Sequence, residues 1–130
     1  MSSACFRVFV YGSLMAGEGN HCVISKGRFM GIARTSHGFS LYDLGRFPGM
    51  VASGSGKVQG ELFEVDAQLL ASLDAFEGHP RFYQRTTITL EDGSQADAYL
   101  LTEAKVRGRS VVPSGSWRSH RRRSNENRHA

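Results

Sequence analysis

Apolar and polar residues alternate along "FRVFVY" (6–11), the period of a half-buried strand. The same period returns in "RFMGIART" (28–35), "GFSLYD" (38–43), "KVQGELFEV" (57–65), "QRTTITLE" (84–91) and "ADAYLLT" (96–102). The last two runs meet across "DGSQ" and predict a hairpin. Between the third and fourth runs, "GRFPGMV" carries Pro48 and two glycines, which suits a bend or a sheet edge better than a central strand. Gly60, inside a strand, predicts a bulge or a close backbone approach. In "DAQLLASLDAFEG" (66–78) the period changes: Leu69, Leu70, Leu73 and Phe76 recur at helical spacing. Asp66 fits the N-cap, Gly78 the left-handed C-cap, and Pro80 stops the helix. A weaker helical turn is expected over 20–26. Strands outnumber helices and no βαβ rhythm appears. The expected fold is therefore α+β, a small, mainly antiparallel β-barrel with one or two packed helices.

Length allows one domain: the chain has 130 residues. Its 16 Lys and Arg exceed its 12 Asp and Glu by a net charge of +4. That excess is local. Residues 1–116 hold 11 basic and 11 acidic residues, whereas "WRSHRRRSNENRHA" (117–130) holds five Arg and one Glu. The domain is accordingly placed at 1–117, with 118–130 expected to be a basic, disordered tail. Nucleic acid is not an expected partner, because the neutral body has no basic face with interleaved aromatics and only the tail could bind it. No apolar run is long enough to span a membrane, and no signal-peptide pattern opens the chain, so a cytoplasmic location is expected. Cys5 and Cys22 make no disulfide framework, and no zinc-ligand spacing is present, so no metal is expected.

The first strand runs into a Gly-rich turn, "VFVYGSLMAGEGN" (8–20). A phosphate loop needs Lys and Ser or Thr after its second glycine, but Gly17 is followed by Glu18 and Gly19. "GSGKVQG" (54–60) has one residue too many for the dinucleotide fingerprint and precedes a strand. Two readings remain for the turn. Its glycines serve geometry alone, or Gly12 and Ser13 leave backbone N–H groups free for a carboxylate or for the oxyanion of an amide under attack.

Glu77 is the second unusual residue. It lies four positions after Leu73, on the apolar stripe, and in the last turn, where the helix dipole disfavours negative charge. Desolvation there would raise its pKa into the range of a general acid/base at neutral pH. Equally, the carboxylate could bend to solvent or pair with Arg81 or Arg85. Asp74 lies off the stripe and is expected to be solvated. His79 is a possible second proton carrier or plain polar surface. Ser13 could act as a nucleophile only with a histidine beside it, and no "G-x-S-x-G" elbow is present.

"FVYGSLMAGEGN", "LYDLGRFPGMV", "GKVQGELFEV", "LDAFEG", "FYQR" and "VPSGSW" occur in that order over residues 6–117. Together they resemble the gamma-glutamylcyclotransferase-like superfamily, which includes gamma-glutamylamine cyclotransferase. The resemblance implies a small β-barrel with packed helices and an intramolecular aminolysis: the α-amine of a gamma-glutamyl group attacks its own side-chain carbonyl, releasing 5-oxoproline and a free amine. It implies no metal, cofactor or consumed water, and a small-molecule gamma-glutamyl substrate. By position, Tyr11, Gly12, Ser13 and Leu14 would bind the glutamyl end, and Glu77 would shuttle the proton. Tyr83 would line the pocket, with Arg85 bracing it; both could also be structural. One departure is Ser116, where the family's "S-G-D-W" has Asp. The alternative function is a small-ligand-binding or regulatory module of the same fold without turnover.

Overall fold

The computed structural model describes residues 5–128. Its strands are β1 (Cys5–Val10), β2 (Arg28–Arg34), β3 (Phe39–Asp43), β4 (Pro48–Gly56), β5 (Gln59–Asp66), β6 (Gln84–Thr89), β7 (Gln95–Leu100) and β8 (Ser110–Val111). Two helices, α1 (Ala67–Glu77) and α2 (Trp117–Arg128), complete the α+β fold. The expected turn over 20–26 is a short 3-10 segment, His21–Val23.

All eight strands belong to one mixed sheet in the order β2-β5-β1-β7-β4-β3-β8, with β6 also on β7. Most pairs are antiparallel; β1 with β7 and β4 with β7 are parallel. The sheet curls toward a barrel without a continuous closing ladder. Among the described residues, its β2 edge meets the end of β6 at the Thr35–Leu90 bridge, where Ser36 donates to Thr89 O and Glu91 to Arg34 O.

Central position explains the sequence of β1. Val8 and Val10 face one apolar cluster and Phe9 the other, all three nearly inaccessible. α1 covers the first cluster with Leu70 and Leu73. Asp66 caps it by accepting the Leu69 N–H at 2.8 Å, and Gly78 ends it at φ 69°. Gly60 is a close approach: a Cβ there would lie 2.2 Å from Val10 O. The bulge falls instead on its partner β2, between Phe29 and Gly31.

Two expectations need correction. "GRFPGMV" is not an edge: β4 runs between β7 and β3. Pro48 is tolerated because it is the strand's first residue, where a missing N–H costs little. Nor is the chain after 117 without structure, since it forms α2. Ser116 caps that helix, its Oγ accepting the Ser119 N–H at 3.3 Å, and Trp117 is buried. Ser and Asp are both strong N-caps, so replacing the family's Asp by Ser116 keeps the cap. The tail expectation at 129–130 lies outside the described residues.

Candidate active site

The ends of β1 and α1 open into one cleft of about 280 Å³. It brings together Tyr11, Gly12, Ser13, Leu14, Glu77 and Tyr83, the residues singled out in the sequence. Sequence reasoning missed other parts of its wall: Asn20, Phe47, Pro48, Phe82 and Tyr99, together with Phe76, which was read only as part of the helical stripe. The available signal was aromatic residues set in Gly- and Pro-rich connections, "GRFPG" and "HPRFY".

Neither Tyr11 nor Tyr83 has a free hydroxyl. Tyr11 donates to Tyr99 O at 2.6 Å and accepts the Met50 N–H at 3.1 Å; Tyr83 donates to Pro48 O at 2.7 Å. Burial pushes both phenols well above their ordinary range, so they stay protonated. These bonds fasten the start of β4 under the turn. Gly12 does the same from above: a Cβ there would lie 2.7 Å from Pro48 Cγ. The glycine is required for a close approach to proline.

The turn itself is tightly bonded. Met15 donates to Gly12 O, Asn20 N to Ser13 O, and Asn20 Nδ2 to Ser13 Oγ, at 3.1, 3.0 and 2.9 Å. His21 donates Nδ1–H to Leu14 O at 3.0 Å, and the Ser13 hydroxyl is bonded to Asn20, not to a histidine. Among the described residues, the N–H groups of Gly12, Ser13 and Leu14 have no acceptor, and all three residues line the cleft.

The loop after the turn is clamped from the far end of the chain. Ala16 N donates at 2.7 Å to Glu61 Oε1, a buried carboxylate on β5. Arg118 on α2 reaches Ala16 O at 2.8 Å and lies 3.5 Å from both Glu61 and Glu18. Arg121 pairs with Glu18 at 3.0 Å. Glu18, which excluded a phosphate loop, is thus an anchor for α2.

Glu77 has no hydrogen bond or ion pair to its carboxyl among the described residues. Arg85 is engaged elsewhere, bidentate to Asp74 at 2.9 and 3.3 Å and bonded to Asp97 at 3.0 Å. Asp74 is accordingly not the solvated residue expected; it also accepts Tyr99 OH at 2.7 Å. Loss of water from around Glu77 pushes its pKa up from 4.5 to about 7. His79 Nδ1 accepts the Arg85 N–H at 2.9 Å, so it fixes the turn after α1. Among the described residues, no Lys, Arg or His lines the cleft. The arrangement offers one unpaired carboxyl near neutrality and a turn with unpaired backbone donors, within largely apolar walls.

Residues 8–119 match the family model described as gamma-glutamyl cyclotransferase, AIG2-like. A relative from Vibrio cholerae serotype O1 is 41% identical over 110 residues, 85% of this chain and 93% of its own. The gamma-glutamylcyclotransferase family protein YtfP of Escherichia coli K12 is 36% identical over 111 residues, 85% of this chain and 95% of its own. Among solved structures, an AIG2-like protein from Mus musculus superposes with a TM-score of 0.65 at 34% identity, over 74% of this chain and 76% of that one. A uropathogenic E. coli-specific protein superposes at 0.80 with 26% identity, over 90% and 95%.

Proposed function

The chain belongs to the gamma-glutamyl cyclotransferase, AIG2-like family, and on that premise we propose that it converts gamma-glutamyl amides into 5-oxoproline and a free amine. The observation that carries this reading is the unpaired Glu77 carboxyl, held in one cleft with the free N–H groups of Ser13 and Leu14.

The chemistry follows from those groups. The substrate's α-ammonium gives a proton to the Glu77 carboxylate. The freed amine nitrogen attacks the side-chain carbonyl carbon, closing a five-membered ring. The carbonyl oxygen becomes an oxyanion, which the Ser13 and Leu14 N–H groups stabilise. As the C=O re-forms, the bond from that carbon to the leaving nitrogen breaks, and Glu77 gives its proton to that nitrogen. It then takes the second proton from the ring nitrogen and passes it on, so the lactam is neutral and the amine leaves as its ammonium form. One carboxyl suffices because attacking and attacked atoms are tethered in one molecule, which removes much of the entropic barrier. A carboxyl at about 7 is suited to both directions of transfer at neutral pH.

The test is release of 5-oxoproline from gamma-glutamyl amides and dipeptides by wild type and Glu77→Gln. The variant should lose roughly 10²- to 10⁴-fold in kcat, the usual size of general acid–base catalysis. Equal activity in the variant, or a silent panel with wild type, refutes the reading and favours a binding module.

A further inference from the structure

Three phenylalanines around the cleft are left partly open to solvent: Phe47 at 36%, Phe82 at 41% and Phe76 at 45% exposure. We propose that Phe47, Phe76 and Phe82 form a subsite for the leaving amine, and that the amine this protein releases is neutral in its remaining part, apolar and ring-bearing. This inference rests on the gamma-glutamyl reading.

Position supports it first. The leaving nitrogen must reach Glu77 to take a proton, and Phe76 is the adjacent residue at the end of α1. Phe47 precedes Pro48, which accepts the Tyr83 hydroxyl at its carbonyl oxygen and packs closely against Gly12 on the turn side of the cleft. A substituent on the leaving nitrogen therefore emerges between these rings.

Ring geometry supports it second. Phe47 meets Phe82 edge to face, with centroids 6.1 Å apart at 75°; Phe82 meets Tyr83 at 5.0 Å and 87°. Such a row accepts one more ring in an edge-to-face or offset arrangement. Phe76 shares the apolar helix stripe with Leu70 and Leu73, yet it is not buried with them. An apolar ligand would complete its burial.

Charge narrows the class. Among the described residues no Lys, Arg or His lines the cleft, and the nearby Lys105 ammonium is taken up by backbone carbonyl oxygens. A leaving group with its own carboxylate, as in a gamma-glutamyl amino acid, would therefore be desolvated beside Glu77 without a partner. A cationic leaving group could pair with Glu77, but Lys105 already stands 5.2 Å from the Phe82 ring centroid. Its ammonium donates to the carbonyl oxygens of Arg81 and Phe82, so positive charge is fixed at this end of the row.

The experiment compares four gamma-glutamyl compounds: the ethylamide, the benzylamide, the 1,5-diaminopentane monoamide and gamma-glutamyl-phenylalanine. We expect kcat/KM for the benzylamide to exceed the ethylamide by roughly tenfold or more, the effect of removing most of a phenyl ring from water. The phenylalanine and diamine compounds should fall below the benzylamide. Phe47→Ala and Phe76→Ala should each bring the benzyl-to-ethyl ratio toward one, and Phe76→Leu should restore part of it. Equal use of ethyl and benzyl amides, or preference for either charged compound, overturns the subsite while leaving the reaction intact. Binding to the Glu77→Gln variant by calorimetry separates the two readings: if no compound turns over but the benzylamide binds roughly tenfold tighter than the ethylamide, the subsite stands and the reaction falls. No turnover and no selective binding overturns both.

Discussion

Replacing Glu77 by Gln should stabilise the protein, and by an amount that depends on pH. The ionised carboxylate is the form that burial disfavours, so the folded chain holds this proton more tightly than the unfolded chain. Stability contributed by Glu77 is then fully present below its ordinary 4.5 and is lost as pH rises through about 7. The difference of about 2.5 units corresponds to about 3 kcal/mol, lowered toward about 2 by solvent reaching a half-buried group. Glutamine has the same shape and no charge. Near pH 4 the two proteins should therefore unfold together; above pH 7 the variant should be more stable by about 2–3 kcal/mol. For a chain of 130 residues this is a melting shift on the order of 10 °C. Scanning calorimetry of both proteins from pH 4 to pH 8 measures the gap directly. A gap that stays constant across that range would mean that Glu77 is not desolvated, and the account of its proton affinity would fail.

Tyr83→Phe removes the bond to Pro48 O but leaves the ring; we expect about 1 kcal/mol lost in urea denaturation and less than a tenfold fall in kcat/KM, because the hydroxyl faces backbone and not substrate. A fall of a hundredfold would place that hydroxyl in the chemistry. Ser116→Ala should cost about 1 kcal/mol of stability by removing the α2 cap, while Ser116→Asp should cost nothing measurable. If Asp is as damaging as Ala, Ser116 acts through something other than capping.

Local signals in the chain carried a great deal of this structure. Asp66 and Gly78 bracket α1 because caps are properties of a few adjacent residues, and strand alternation marks β1 and β7 for the same reason. The turn at 11–14 and Glu77 were both legible, one from its glycine chemistry and the other from a carboxylate on an apolar stripe. What was hidden is pairwise and distant. Arg85 could serve Glu77 or Asp74 equally well in one dimension, and only the packing of β6 against β7 puts it on Asp74 and Asp97. Phe76 obeyed helical spacing and still faces the cleft, since α1 ends where the sheet beneath it opens. The arginines after 117 looked like solvated charge because Glu18 and Glu61 lie far away in sequence.

The contact between α2 and the loop at 16–18 also has an order in time. During synthesis the turn at 11–14 is made before α2, the helix that holds it. Until Arg118 is added, Glu61 has the Ala16 N–H and no cation beside a carboxylate that is almost wholly buried. A buried charge without its counterion resists being folded inward. The nascent domain therefore has reason to leave this corner unlocked until α2 has been made, so that a later helix finishes an earlier turn.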